Sequence, residues 1–190
     1  TFTYTLNEGT NAENYNITKT EGTLTVTKRG ATGEKVTITA TDNTATYDGK
    51  PHGENGYTVT NLATDDQVET VTIAGTATDA GTYSGKLVPS NAKIVNAAGE
   101  DVTAGYEIEY KAGTLTIAKR PVTLTSESAT KPYDGKALTK DIVTVSGDGF
   151  VEGQGATYSV TGSQTKVGSS DNTFTYTLNE GTNAENYNIT

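Results

Sequence analysis

The sequence predicts an all-β fold made of tandem small β-sandwich-like modules, with a β-grasp-like sheet as the alternative and no substantial helix. Apolar residues alternate with Thr along several short runs, which gives each run one apolar and one hydroxylated face. Clusters of Gly, Asn and Asp interrupt these runs every few residues, as turns between short strands do. The sequence also repeats itself, so we expect each repeat to fold as a similar unit.

The chain contains a long repeat and a shorter one inside it. Residues 1–18, TFTYTLNEGTNAENYNIT, recur unchanged as residues 173–190, a displacement of 172 positions. Within that period, Val36-Thr37-Ile38-Thr39 is echoed 86 positions later by Val122-Thr123-Leu124-Thr125. Tyr47-Asp48-Gly49-Lys50 is echoed at the same displacement by Tyr133-Asp134-Gly135-Lys136. One period of the long repeat therefore contains two modules.

A third repeated segment indicates where a module closes. The octet GTLTVTKR at 22–29 returns as GTLTIAKR at 113–120. Residues 1–29 are then the C-terminal part of one module and a candidate donor segment. Residues 34–120 are a complete module, and residues 121–190 are a module that lacks its last strand.

Strands are expected, in chain order, wherever the alternation is clear. These runs are Phe2-Thr3-Tyr4-Thr5-Leu6, Leu24-Thr25-Val26, Val36-Thr37-Ile38, Leu115-Thr116-Ile117 and Val122-Thr123-Leu124. Turns are expected between them, for example at Asp48-Gly49, Asn55-Gly56 and Ala98-Gly99. Asn91 to Gly99 is the one stretch that would allow a helical turn, and its neighbours favour a loop.

Composition is typical of an extracellular β-rich polymer. Thr supplies 39 of the 190 residues, and β-branched Thr favours extended backbone while it leaves a hydroxyl for solvent. Cys is absent, so disulfides cannot stabilise the small modules. The formal net charge of −9 argues against nucleic acid and anionic membrane partners, which require basic surfaces. No apolar run is long enough for a membrane span, and no signal-peptide pattern opens the sequence.

The order of the motifs resembles that of the MBG/YDG family of bacterial surface-protein repeats. The motifs are Val-Thr-(Ile/Leu)-Thr, then Tyr-Asp-Gly-Lys, Asp79-Ala80-Gly81-Thr82-Tyr83, Asn14-Tyr15-Asn16-Ile17 and Gly22-Thr23-Leu24-Thr25-Val26-Thr27-Lys28. The chain departs from this pattern at Val167-Gly168-Ser169-Ser170 and at Ala104-Gly105-Tyr106. The resemblance implies building blocks of long secreted or wall-attached adhesins, and the family carries no catalytic residues to transfer.

Candidate functional residues each have a plain structural interpretation. Tyr47 and Tyr133 could present a ring to a sugar, but Asp-Gly is a common turn pair and the Tyr would anchor that turn. His52 stands alone without Cys or a second His, so neither a metal site nor a Ser/His/Asp constellation can be assembled. The acidic groups at 65–69 and 148–152 could hold Ca²⁺, yet solvated loops are the better interpretation.

The sequence does not favour an isopeptide crosslink or an ice-binding face. A Lys–Asn isopeptide crosslink would suit a Cys-free surface repeat, but Asn14 and Asn16 correspond to Gly105 and Glu107 in the complete module. Thr-x-Thr ladders at 23–27 and 173–177 are known from ice-binding faces, but here they lie on short strands in irregular modules, which favours a solvent face. We therefore predict no catalytic, metal or cofactor-binding residues, no enzymatic activity, and no ligand that the sequence can name.

These observations lead to an expectation of a structural role. We expect a stalk or fibre segment of a bacterial surface adhesin that holds a tip domain away from the cell, or an extracellular filament. The alternative is a module that binds host glycan or mucin weakly and gains strength through avidity. The expected partners are neighbouring repeats of the same protein, and either a covalent array or strand complementation by the next subunit would complete module 121–190.

The two module junctions are expected to differ in stiffness. Pro121 follows Lys119-Arg120 and should stiffen that junction. Gly30-Ala31-Thr32-Gly33 follows Lys28-Arg29 and should make the other junction bendable.

Overall fold

The computed structural model describes residues 1–54 and 56–190, and it confirms the predicted all-β fold without a substantial helix. Asn55 of the predicted Asn55-Gly56 turn lies outside the described residues. The strands are β1 Val36–Ala40, β2 Asn43–Thr46, β3 His52–Gly53, β4 Tyr57–Thr60, β5 Gln67–Ala74, β6 Thr76–Ala77, β7 Gly81–Val95, β8 Ile108–Lys111, β9 Gly113–Ala118, β10 Arg120–Ser126, β11 Val143–Gly147, β12 Ala156–Val160, β13 Phe174–Leu178 and β14 Tyr187–Ile189. Short 3-10 turns span Ala12–Asn14, Thr103–Gly105 and Ala184–Asn186.

The first module consists of two sheets and a small ribbon. One sheet has the strand order β4-β1-β8, the other has the order β2-β9-β7-β5, and β3 pairs with β6. In the first sheet β1 runs antiparallel to β4 and parallel to β8. Side chains of β1 and β7 meet between the sheets, where Val36, Ile38 and Ile94 are fully buried. The predicted alternation explains this packing, because every second residue of β1 points into the core.

The second module repeats part of this arrangement. Strand β10 lies between β11 and β14, antiparallel to the first and parallel to the second, as β1 lies between β4 and β8. Strands β12 and β13 form an antiparallel pair, as β5 and β7 do. The division into segments 1–29, 34–120 and 121–190 remains a prediction, although strand β10 already includes Arg120.

The loop expected at Asn91 to Gly99 is largely wrong. Strand β7 continues through Val95, and only Asn96 to Gly99 turns the chain. The side chain of Asn96 accepts hydrogen bonds from the backbone N–H groups of Ala98 and Glu100. Because an Asn side chain can replace the backbone in a tight turn, this turn needs no helix.

The strands expected in residues 1–28 are absent, although the same sequence forms strands elsewhere. Residues 2–6 have no strand partner, whereas the identical run at 174–178 is strand β13. Leu24 is 100% exposed, whereas its counterpart Leu115 is buried in β9. A strand requires a neighbour to satisfy its backbone groups, and residues 1–28 have no pairing strand among the described residues.

Among residues 1–54 and 56–190 there is no helix of the length and apolarity that a membrane crossing requires.

Candidate functional site: the interface between the modules

The two modules meet around a pair of buried tyrosines. Tyr47, in the turn after β2, and Tyr187, the first residue of β14, are each 3% exposed. Their rings meet edge to face, with centroids 5.5 Å apart and an interplanar angle of 82°. Phe150 meets Tyr187 in a similar geometry, with centroids 5.1 Å apart. Edge-to-face ring pairs add directional attraction to burial, so the contact fixes an angle between the modules as well as a distance.

These tyrosines belong to a core that continues from one module into the next. A single cluster of buried side chains includes Leu115 and Ile117 of the first module and Val122 and Leu124 of the second. Only Lys119 separates the ends of β9 and β10, so the chain leaves one sheet and enters the next at this cluster. The junction is therefore packed as a core is packed, unlike a solvated linker.

The hydroxyl groups of both tyrosines are satisfied by one glutamine. Gln154 Nε2 donates a hydrogen bond to Tyr47 Oη at 2.9 Å, and Tyr187 Oη donates to Gln154 Oε1. The backbone N–H of Val151 donates to Tyr187 Oη at 3.2 Å. Burial, which disfavours the phenolate, raises the pKa of Tyr187 above its ordinary value. The interface thus contains a closed polar network within an aromatic contact.

Asn186 joins the modules from the other side. Its side chain is the one polar side chain among the described residues that is fully enclosed by the core. Asn186 Oδ1 accepts a hydrogen bond from the Ala80 N–H at 2.8 Å, and Nδ2 donates to Asp79 Oδ1 at 2.8 Å. Both partners belong to the first module. The neighbouring ion pair, Lys119 Nζ to Glu185 Oε2 at 3.0 Å, is exposed and contributes little.

Arg120 connects three backbone carbonyls across the same interface. Its Nε donates to the carbonyl of Gly149 at 2.8 Å, Nη2 to that of Asp148 at 2.6 Å, and Nη1 to that of Tyr47 at 3.4 Å. Gly149 and Asp148 lie in the second module and Tyr47 in the first. Arginine suits this position because its planar head presents five donors in a fixed fork.

The same residue pattern recurs at the other end of the first module. Arg29 pairs with Tyr106 in a parallel bridge, as Arg120 pairs with Tyr187. Arg29 Nε donates to the carbonyl of Asn61 at 2.8 Å, which matches the bond from Arg120 to Gly149.

Tyr106 is held as Tyr187 is held. Its hydroxyl donates to Asp66 Oδ2, the position that Gln154 occupies in the second module. Burial, reinforced by that hydrogen bond, raises the pKa of Tyr106. Tyr106 is nearly buried, but no second tyrosine from another module packs against it within the described residues. The first module therefore has the receiving half of a second junction.

The chain also has the inserting half of that junction. Tyr133 occupies the place in the second module that Tyr47 occupies in the first, and its side chain is 70% exposed. The two turns have the same geometry. Asp48 Oδ1 accepts from the Lys50 N–H at 2.9 Å, and Asp134 Oδ1 accepts from the Lys136 N–H at 2.9 Å. The turn that carries Tyr133 thus matches the turn that carries Tyr47.

The prediction of a bendable junction at residues 30–33 is wrong, because these residues lie within the first module. Arg29 already bonds to the first module through Gly105 and Glu107, before the glycines begin. Strand β1 then begins at Val36. The backbone at Gly30, with φ of 87°, comes so close to Lys35 that an added Cβ would lie 2.8 Å from the Lys35 Cα. Residues 31–34 therefore form a closed side loop within the module, and they do not separate modules.

Tyr47 and His52, two candidate functional residues from the sequence, have structural roles. Tyr47 packs in the interface, so it is not offered to a sugar, whereas Tyr133 is exposed. His52 Nε2 lies 2.8 Å from Asp48 Oδ1. The hydrogen bond from Lys50, and to a lesser degree the contact with His52, hold the pKa of Asp48 below its ordinary value. Both groups serve the turn that carries Tyr47.

The acidic loops and Thr ladders are also accounted for in part. Within residues 1–54 and 56–190, no three His, Asp or Glu side chains converge as a metal site would require. The loop interpretation of residues 65–69 holds only for Asp65 and Asp66, because residues 67–69 begin strand β5, and Asp66 accepts from Tyr106. In the loop 148–152 the backbone of Asp148 accepts from Arg120. The Thr ladder at 23–27 lies outside any strand, whereas the ladder at 173–177 lies largely in β13.

The asparagine considered for an isopeptide crosslink has a different role in the structure. Asn14 is exposed, and its counterpart Asn186 is bonded to Asp79 and Ala80. Sequence reasoning missed Asn186, Gln154 and Arg120 as interface residues. The repetition of Arg after Lys at 28–29 and 119–120 is the one sequence signal that points to Arg120.

No family model, curated protein or solved structure matches this chain.

Proposed function

We propose that this chain is a structural repeat protein whose modules are joined in a fixed orientation. The single observation that carries this proposal is the packed interface at Tyr47 and Tyr187. A chain that served only to connect binding modules would not need the buried aromatic pair, the enclosed asparagine and the arginine bonded to three carbonyls that this junction has. These contacts resist rotation about the junction, which is what a segment that keeps a fixed distance under tension requires.

The particular role that we propose is a stalk or fibre segment of a bacterial surface adhesin, outside the cell, which extends a tip domain or forms a filament. Three sequence properties support it: the exact recurrence of residues 1–18 at a displacement of 172 positions, the Thr-rich composition without Cys, and the formal net charge of −9. The resemblance to MBG/YDG repeats agrees with this role. Length would then increase by a constant step with every period that is added.

The test uses covalent tandems of one, two and four 172-residue periods. Electron microscopy and small-angle scattering should show slender particles whose length rises linearly with the number of periods. The control tandem carries Tyr47→Ser in every copy, which removes the inserting ring from each such junction and should shorten and broaden the length distribution. Compact particles, or a wild-type distribution as broad as that of the control, would contradict the proposal.

A glycan array with the same tandems distinguishes the rival function. A spacer should bind no glycan, and four periods should bind no better than one. Binding that increases steeply with the number of periods would instead identify an avidity-based glycan-binding repeat.

A further inference from the structure

The second module contains a groove at the place where the first module contains a strand. A cavity of about 520 Å³ lies between residues 126–140 on one side and residues 162–172 on the other. Residues 129–132 and residues 165–172, which line the groove on its two sides, form no strand. The backbone on each side of the groove therefore lacks a neighbouring strand.

The first module shows what fills this position. Strand β9 lies between β2 and β7, parallel to β2 and antiparallel to β7. It buries Leu115 and Ile117 completely or nearly so. By the 86-residue displacement of the repeat, β2 corresponds to residues 129–132, which line the groove.

The chain carries a second copy of the β9 sequence, and that copy is unused. Residues 22–27, GTLTVT, match GTLTIA of β9. Leu24 and Val26 are 100% and 99% exposed, and neither belongs to a strand. Two large apolar side chains that are fully solvated on an alternating segment have the pattern of a strand without its sheet.

We propose that the groove of module 121–190 binds residues 22–27 of a second copy of this chain as an added β-strand. The strand runs parallel to residues 129–132 and antiparallel to residues 168–171. By analogy with the pair Asn43–Leu115 and the 86-residue displacement, Leu24 lies beside Ala129. Backbone hydrogen bonds supply the affinity, and the burial of Leu24 and Val26 supplies the register. This inference concerns the sheet of the chain itself, so it goes beyond the proposed stalk and can hold if that function is wrong.

Gly22 gives the inserted strand a size requirement. At the equivalent residue, Gly113, an added Cβ would lie 2.6 Å from the Ala40 carbonyl oxygen and 2.9 Å from that of Thr41. Gly22 in the free segment has no atom within 4 Å of such a Cβ. A larger residue at position 22 should therefore leave the free chain unchanged and obstruct insertion.

The same docking event would complete the second junction. Residues 28–29 follow the inserted strand, as Lys119 and Arg120 follow β9. They would bring the Arg29–Tyr106 pair of the donor copy next to Tyr133 of the acceptor copy. Tyr133 is exposed in the turn geometry that Tyr47 uses against Tyr187. The strand and the tyrosine thus predict one head-to-tail contact between copies.

The direct test measures the binding of a fluorescein-labelled peptide of residues 19–29 to the full 190-residue chain. The acceptor is the Leu24→Asp variant, which cannot donate its own segment, and fluorescence anisotropy follows the titration. Saturable binding is expected for the wild-type peptide. Peptides with Leu24→Asp or Gly22→Val should bind on the order of a hundredfold more weakly, and Thr23→Ser, on the hydroxylated face, should bind like the wild type.

Sedimentation velocity supplies the independent measurement on the intact chain. The wild-type chain should form head-to-tail oligomers whose size rises with concentration, and an excess of the peptide should dissociate them. The Gly22→Val and Leu24→Asp chains should remain monomeric with unchanged unfolding curves. Equal binding by all peptides, or a wild-type chain that stays monomeric and does not bind the peptide, would overturn the proposal.

Discussion

Removal of the Asn186 side chain should destabilise the chain, whereas the same change at the identical position in the first segment should not. Asn186→Ala loses the hydrogen bonds to the Ala80 N–H and to Asp79 Oδ1, both 2.8 Å long. A partly buried donor left without its partner costs about 1–3 kcal/mol, so we expect a loss of about that size in the free energy of unfolding. Asn14→Ala changes an exposed residue within the same sequence context and should stay within about 0.5 kcal/mol of wild type.

Urea unfolding followed by tyrosine fluorescence is a suitable assay, because the chain has 11 Tyr and no Trp. The midpoint for Asn186→Ala should fall, and the early part of the transition should report the second module as it separates from the first. A third variant, Asp79→Ala, should reproduce part of the loss, and the double variant should lose less than the sum of the two. Equal midpoints for Asn186→Ala and Asn14→Ala would refute the argument that this side chain joins the modules.

Three more outcomes follow from the interface. Arg120→Ala removes donors to three carbonyls and should lower the free energy of unfolding by about 1–3 kcal/mol in the same assay, and an unchanged value would contradict its role. Because the pKa of Tyr187 is raised in the folded chain, its contribution to the free energy of unfolding should be complete below pH 10.0, the ordinary pKa of tyrosine. That contribution should be lost as the pH rises through the higher pKa of the folded state. Tyr187→Phe should flatten that alkaline loss in pH-dependent unfolding. A tandem without residues 31–34 should be as stiff as the wild-type tandem in small-angle scattering, because these residues form a loop within one module. A stiffer tandem would instead show that residues 31–34 act as a hinge between modules.

The regular parts of the fold could be predicted from the sequence. The alternation at Val36 and Ile38 identified β1 and its buried face, because a period of two has one structural meaning in a short run. The 86-residue repeat predicted that Val122 and Leu124 would be buried in the same way, and they are.

The context of each strand could not be predicted. Phe2 and Phe174 begin identical segments, yet only the second segment forms a strand. The difference depends on which strands are available to pair with each segment, and the local sequence does not specify them. The parallel pairings of β1 with β8 and of β10 with β14 likewise join distant residues, which alternation alone does not specify.

The interface was hidden for a related reason. Gln154 and Asn186 are polar residues in turn-like surroundings, where exposure is the ordinary expectation. Asn186 is buried and Gln154 is half-buried because the first module packs against them, and only the packing of Tyr47 reveals this. The repeat itself was informative in retrospect, since Arg29 and Arg120 occupy equivalent places and make equivalent bonds.

The central claim is that the two modules form one stiff unit, and an intramolecular distance distribution tests it most directly. The chain has no Cys, so cysteines for spin labels can be introduced at two exposed positions, Thr72 in β5 and Thr157 in β12. Pulsed electron paramagnetic resonance then measures the distance between the two labels. We predict one narrow distance peak for the wild-type interface, which broadens in the Tyr47→Ser variant. A distribution that is already broad in the wild type, and that Tyr47→Ser leaves unchanged, would contradict the account.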